Sequence, residues 1–191
     1  AKNRGTLQAL AGKLDDVVQL QPDYVRIQFG HNDQKRYDTQ VYKSHLQSYV
    51  NRIQKGGGKP IIVSSVTRRS FDENGRIVSN LVRNEKYSYK ATLTDYAKAA
   101  EALARELNLP FLDLHRVSIA HHNEIGREES MTYNFIEGDK THFNKKGAEA
   151  ITDLIIEELK IAVPELAGYL KAGETADPIP AESVESKFDL I

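Results

Sequence analysis

Two residues in the last third of the chain have the types and spacing of a catalytic base and its partner. Asp139 and His142 stand three positions apart, in the sequence Gly-Asp-Lys-Thr-His. In a turn, this spacing lets the carboxylate bind one ring nitrogen of the imidazole while the other nitrogen faces a substrate. Such a pair takes the proton from a serine hydroxyl in acyl transfer. Because the spacing is also common by chance, an ordinary turn is the alternative interpretation.

A third candidate is Asn32, in the string Phe-Gly-His-Asn-Asp over 29–33. A side-chain amide at the end of a strand can donate to the oxygen that becomes negative in a tetrahedral intermediate. Asn and Asp after a glycine also form turns through bonds to nearby backbone. Both interpretations apply to Asn32, and likewise to His31 and Asp33.

Helices and strands alternate along the chain, which is typical of α/β proteins. Apolar residues at helical spacing predict helices over 6–18, 42–53 and 92–108, and a final helix capped by Asn144. Alternating or β-branched runs predict strands over 23–29, 61–66 and 111–114. The order indicates a parallel sheet. Residues 29–33 then lie at the carboxyl end of a strand, where open α/β sheets bind ligands.

The segment 67–91 is longer than an ordinary connection, and such insertions often form the wall of a binding site. Arg68 and Arg69 stand at its start. A guanidinium is suited to pair with a substrate carboxylate such as that of a uronic acid, although two solvated loop arginines are an equal alternative. Tyr87 and Tyr89 offer aromatic faces on which a sugar ring can stack.

Composition excludes several classes of function. The 191 residues have a formal net charge of -1, which gives no reason to expect nucleic acid or an anionic membrane as partner. No apolar run approaches the ~20 residues of a membrane span. The absence of cysteine excludes disulfides and thiol catalysis. We expect one domain over 1–171, followed by a polar tail or linker over 172–191.

A metal site is the competing chemical hypothesis. The side chains that could gather ligands are His31, Asp33, His121, His122, Asp139 and His142. None of them has the spacing of a known metal motif, and adjacent histidines on a helix point apart. We therefore expect neither a metal nor a cofactor.

Three segments together resemble a known family. YVRIQFGHND over 24–33, VTRRSFDENG over 66–75 and GDKTHFNKKGAE over 138–149 occur in the order found in SGNH/GDSL hydrolases. They are most similar to the rhamnogalacturonan acetylesterase-like carbohydrate esterases, and the resemblance extends from about residue 7 to 169. It implies a flavodoxin-like, three-layer α/β/α sandwich with a parallel sheet.

The resemblance also implies roles for individual residues. His142 would be the general base, Asp139 its orienting carboxylate and Asn32 an oxyanion donor. From their residue types and positions, His31, Arg68 and Arg69 are the expected substrate contacts. The implied activity is removal of acetyl groups from pectin-type, rhamnogalacturonan-like polysaccharide or oligosaccharide, without a cofactor. A secreted or periplasmic location is implied as well.

One block of the family pattern is absent from the sequence. SGNH hydrolases begin with a strand that ends in Gly-Asp-Ser, whose serine is the nucleophile, and these 191 residues contain no Gly-Asp-Ser. We expect that N-terminal strand to be missing, which would expose the edge of strand 23–29 to association with another chain. Ser64 and Ser65 lie within the predicted strand 61–66 and lack the tight turn that presents a nucleophile. Two hypotheses follow: an esterase whose nucleophile lies outside this chain, or a non-catalytic, truncated SGNH domain that binds carbohydrate or a protein partner.

Overall fold

The computed structural model describes residues 5–79, 82–84 and 89–170, with the backbone alone at 82–84, 89 and 90, and these residues contain five strands and five α-helices. The strands are β1 (Tyr24–Gln28), β2 (Lys59–Val63), β3 (Val82–Asn84), β4 (Tyr89–Ala91) and β5 (Phe111–Leu112). The helices are α1 (Lys13–Gln19), α2 (Thr39–Lys55), α3 (Leu93–Glu106), α4 (Leu114–Met131) and α5 (Lys145–Ala162).

The central sheet is parallel, as predicted. β2 lies between β1 and β5, with Ile27 opposite Ile62 and Ile62 opposite Phe111. β3 and β4 form a separate antiparallel pair within the long insertion. The carboxyl ends of the three parallel strands therefore meet at one edge of the sheet.

Helices cover both faces of this sheet. Because side chains alternate along a strand, Ile62 packs into one apolar cluster with α2 and α3, while Ile61 and Val63 pack into a second cluster with α5. The fully buried residues of the first cluster include Leu46, Val50 and Ala100. The α/β/α sandwich is thus confirmed, with the sheet in the middle layer.

The beginning of the chain differs from the prediction. Residues 7–12 form turns, and α1 begins only at Lys13. The buried Leu7 donates its backbone N–H to Oδ1 of Asp33 at 3.1 Å. This contact ties the segment to the end of β1, so a tertiary bond replaces the first turns of the predicted helix.

Helix α4 was not predicted, since much of its buried side is polar: His115, Ser118, His122 and Ser130. A search for apolar periodicity does not detect such a helix. Gly126, with φ of 78°, interrupts it.

β1 lies at the end of the sheet, and no strand of the described residues pairs with its outer edge. A cavity of about 180 Å³ lies beside it, with mainly apolar lining residues such as Leu14, Val17 and Val25. Association through this edge stays a prediction.

The described helices include none long and apolar enough to cross a membrane. Residues 172–191 lie outside the described residues, so the predicted tail and domain boundary stay untested.

Candidate active site

The loop before α5 holds Asp139 and His142 in contact. Oδ2 of Asp139 lies 2.8 Å from Nδ1 of His142, and Oδ1 accepts the backbone N–H groups of Thr141 at 2.9 Å and His142 at 3.0 Å. The N–H of His142 is the main cause that lowers the pKa of Asp139 to about 2. The side chain of His142 is 72% exposed. An ionised carboxylate thus orients an imidazole whose Nε2 faces solvent.

Asn144 anchors this loop to the start of α5. Its Oδ1 caps the helix by accepting the N–H of Gly147 at 3.0 Å. Its Nδ2 donates to the carbonyls of Thr132 at 2.7 Å and Asn134 at 3.2 Å. The N-cap that was predicted from sequence also ties the two ends of the loop together.

Arg69 lies beneath the same loop, with a fully buried side chain. Its Nη2 donates to the carbonyls of Asp139 at 2.9 Å and His142 at 2.6 Å, and its Nε donates to Oδ1 of Asn134 at 2.7 Å. The guanidinium also stacks on the ring of Phe143, 4.2 Å from its centroid. A side chain in this position is not accessible to substrate, so the predicted substrate contact of Arg69 is corrected to a contact with the loop.

The end of β1 places Asn32 at the carboxyl edge of the sheet. Gly30 adopts φ of +143°, and a Cβ there would lie 2.4 Å from Oγ of Ser65, so this close approach requires glycine. Asn32 precedes a 3₁₀ turn over Asp33–Lys35, and its Nδ2 donates to the carbonyl of Gly5 at 3.3 Å. The amide therefore faces the first described residue of the chain.

His31 and Arg68 occupy the two loops that follow β1 and β2. Arg68 donates to Oε1 of Gln34 at 2.8 Å, and Gln34 donates to the carbonyl of Ala91 at 3.0 Å. Burial, followed by the charge of Arg68, lowers the pKa of His31 to about 3, and His142 acts in the same direction. His31 is thus neutral at pH 7 and lies within electrostatic range of both Arg68 and His142.

A network below these loops was missed by the sequence analysis. The side chain of His115 is buried. Its Nδ1 donates to the carbonyl of Ser65 at 3.1 Å, and its Nε2 accepts the hydroxyl of Thr94 at 2.9 Å. Its backbone N–H donates to Oγ of Ser64, which contacts Asp113 at 3.2 Å. Ser65 donates its hydroxyl to the carbonyl of Phe29. The hydroxyls of both serines are therefore used in hydrogen bonds with the scaffold. The one feature of the sequence that could have indicated this network is the spacing of Asp113 and His115 at the start of α4.

The competing metal site has no support in the arrangement of side chains. Within the described ranges, no group of three or more His, Cys, Asp or Glu residues could hold a metal ion. The rings of His121 and His122 contact each other, with centroids 5.4 Å apart, and both pack on Tyr133.

Tyr87 lies outside the described residues, as does the side chain of Tyr89, so the predicted stacking wall stays a prediction.

Comparison with known proteins identifies the family of this chain. The model of the GDSL-like Lipase/Acylhydrolase family matches residues 2–150. The chain belongs to this family. Two similar proteins from Bacillus subtilis (strain 168) are rhamnogalacturonan acetylesterase RhgT, 36% identical over 171 residues, and probable rhamnogalacturonan acetylesterase YesY, 31% identical over 166. The matches cover 82% of this chain, 66% of RhgT and 68% of YesY, so the chain spans about two thirds of their length.

Solved structures share the fold of this chain. The chain matches the YxiM protein of Bacillus subtilis with a TM-score of 0.67 at 23% identity, over 83% of this chain and 43% of YxiM. It matches the acetyl xylan esterase AlAXEase with a TM-score of 0.62 at 19% identity, over 81% and 76% of the two chains. These likenesses confirm the predicted SGNH hydrolase fold.

Proposed function

We propose that this GDSL-like protein is a carbohydrate O-acetylesterase of the Ser-His-Asp type, acting on acetylated pectin-type polysaccharide of the rhamnogalacturonan kind. The observation that carries the proposal is the hydrogen bond between Asp139 and His142, with Nε2 of His142 exposed. The substrate class rests on the names of RhgT and YesY. A secreted or periplasmic location stays a prediction from the family resemblance.

In this mechanism a serine outside these 191 residues attacks the acetyl carbonyl carbon while Nε2 of His142 takes the hydroxyl proton. The amide of Asn32 donates to the oxyanion of the tetrahedral intermediate. His142 then returns the proton to the departing sugar oxygen. Water, deprotonated by His142, attacks the acyl-serine, and His142 passes that proton to the serine oxygen as acetate departs. Asp139 fixes the ring and stabilises the imidazolium in both halves of the reaction.

Arg68 and His31 are the proposed substrate contacts. Arg68 donates to the neutral amide of Gln34, and none of the described residues forms an ion pair with it, so a neutral partner orients its guanidinium. Such a guanidinium suits the carboxylate of a uronic acid. His31 is neutral and suits a sugar hydroxyl.

A non-catalytic domain that binds carbohydrate or a protein partner is the second candidate. It is favoured by the engagement of both Ser64 and Ser65 in hydrogen bonds with the scaffold. This candidate predicts binding of the polysaccharide without release of acetate.

Acetate release from acetylated rhamnogalacturonan and from acetylated xylan, measured with the full-length gene product, separates the two candidates. For the esterase, His142→Ala should lower kcat by about 10²- to 10⁴-fold, because the general base is lost. His121→Ala removes a histidine outside the proposed site and should retain activity. Full activity in His142→Ala, or binding without hydrolysis in the unsubstituted protein, would reject the esterase.

A further inference from the structure

Arg69 places a positive charge in the interior, near the charge of Asp139 but without a direct ion pair to a carboxylate of the described residues. Its side chain is fully buried, and no ion pair to Arg69 exists among the described residues. Burial lowers the pKa of its guanidinium to about 10, so it remains protonated at neutral pH. Burying a cation is costly, and an apolar residue would fill the same volume at lower cost. The charge therefore calls for a role besides packing.

The described hydrogen-bond partners of Arg69 in the loop lie between Asn134 and His142. The guanidinium binds the carbonyls of Asp139 and His142 and the side chain of Asn134, and the backbone N–H of Arg69 donates to the carbonyl of Lys140 at 2.9 Å. The three bonds from the guanidinium are the strong, charge-assisted bonds that its fork forms with oxygen. Arg69 thus binds the main chain at both ends of the Asp139–His142 turn.

A carbonyl and the N–H of the following residue lie in one peptide plane, so holding the carbonyl also orients that N–H. The carbonyl of Lys140, bound by the backbone N–H of Arg69, orients the N–H of Thr141, and the carbonyls of Asp139 and His142, bound by the guanidinium, fix the two ends of the turn. In this shape the N–H groups of Thr141 and His142 reach Oδ1 of Asp139. Oδ2 is left for the ring of His142. A continuous set of bonds therefore runs from the buried guanidinium through the main chain to the imidazole.

We propose that Arg69 is a positioning residue, which holds the Asp139–His142 turn in its active shape by binding the main-chain carbonyls of both residues. Its effect on catalysis rests on the proposed function. Its effect on the turn does not, because the environment of the Asp139 carboxylate can be measured without any substrate.

The test compares Arg69→Met and Arg69→Lys in the full-length protein, with Arg52→Met as matched control. Arg52 also binds a carbonyl, that of Ala11 at 2.7 Å, but lies outside the proposed site. In Arg69→Met, kcat should fall about 10- to 100-fold with little change in KM, because misplacement of a base lowers the rate of the chemical step. Arg69→Lys should recover part of the loss, since an ammonium can bind one of the two carbonyls. Arg52→Met should keep kcat unchanged.

The second readout is the pKa of the Asp139 carboxyl, followed by ¹³C NMR. In Arg69→Met it should rise from about 2 toward the ordinary aspartate value near 4, because the backbone N–H bonds loosen. If Arg69→Met does not fold, Asn134→Ala tests the same contact, with a smaller rise expected. An unchanged pKa in the folded variants overturns the proposal, whatever happens to kcat. A raised pKa in a protein that releases no acetate supports the positioning role and rejects the esterase.

Discussion

Asp139 is the residue whose charge the site depends on. Its carboxylate holds the ring of His142 by Nδ1. In Asp139→Asn the side chain keeps its shape but favours the wrong tautomer of the imidazole, so we expect kcat to fall by about 10³- to 10⁴-fold. The exposed Glu137 provides a control, and Glu137→Gln should leave kcat of acetate release unchanged. A kcat for Asp139→Asn close to that of the control would contradict the assigned role.

The same carboxylate should affect stability at acid pH. Its pKa is about 2 in the folded protein and near 4 in an unfolded chain, so the unfolded state binds the proton first as pH falls. The stabilisation that Asp139 provides is therefore complete above about pH 4 and is lost as pH falls toward 2. Urea unfolding should show the unsubstituted protein more stable than Asp139→Asn at pH 6, with the difference disappearing near pH 2. A constant difference across this range would reject the lowered pKa.

At this scale the sequence is a partial guide. The spacing of Asp139 and His142 predicted their hydrogen bond, which the structure contains. The burial of Arg69 was not predictable, because its partners include main-chain carbonyls that come near only in the folded chain. The sequence alone does not distinguish the two neighbouring arginines. In the structure Arg68 binds Gln34, whereas Arg69 binds the Asp139–His142 turn.

Among the structural elements, the end of β1 has a strict steric requirement at Gly30. Its φ of +143° and the approach of Ser65 Oγ both oppose a side chain. Gly30→Ala should destabilise the protein by about 1–3 kcal/mol. Gly75 also has positive φ, +72°, but nothing lies within 4 Å of an added Cβ, so Gly75→Ala isolates the cost of φ alone. Equal losses in the two variants, measured by chemical denaturation, would show that the contact with Ser65 is unimportant.

The N-cap of α5 links an element to the site. Asn144→Ala should cost about 1 kcal/mol or more, because it removes the cap and two bonds across the loop. Thr92, which caps α3 through a capping box, is the comparison. Thr92→Ala should cost a similar free energy of unfolding but leave kcat unchanged, whereas Asn144→Ala should lower kcat as well. Equal kcat values in the two variants would show that the N-cap of α5 does not affect catalysis.

Periodicity predicted the elements that bury apolar residues in regular patterns. It placed β1, α2 and α3 within a few residues of their bounds. It overextended α1, where a tertiary bond from Leu7 to Asp33 competes with the helix. It missed α4, whose buried histidines and serines carry no apolar pattern.

The whole molecule contains several buried histidines that stay neutral. Burial lowers the pKa of His115, of His122 to about 4 and of His31 to about 3. As pH falls below about 6.5, these histidines become protonated in the unfolded chain but stay neutral in the folded protein. The free energy of unfolding must therefore decline. We expect the free energy of unfolding, measured in urea, to fall steadily from pH 7 to pH 4.

His122→Leu should make this decline shallower, since the loss through His122 is confined to the interval between about 6.5 and 4. The slope is the readout, because loss of the contact with Ser130 lowers stability at every pH. A slope identical to that of the unsubstituted protein would show that His122 is not kept neutral by burial.

The attachment of Arg69 to main-chain oxygens also constrains how the loop can evolve. Backbone carbonyls are the same in every amino acid, so the anchor does not depend on the side chains of Lys140 and Thr141. Position 141 must retain an N–H, which excludes proline. We therefore expect related sequences to vary at these two positions, with proline excluded at position 141, and to retain arginine at position 69.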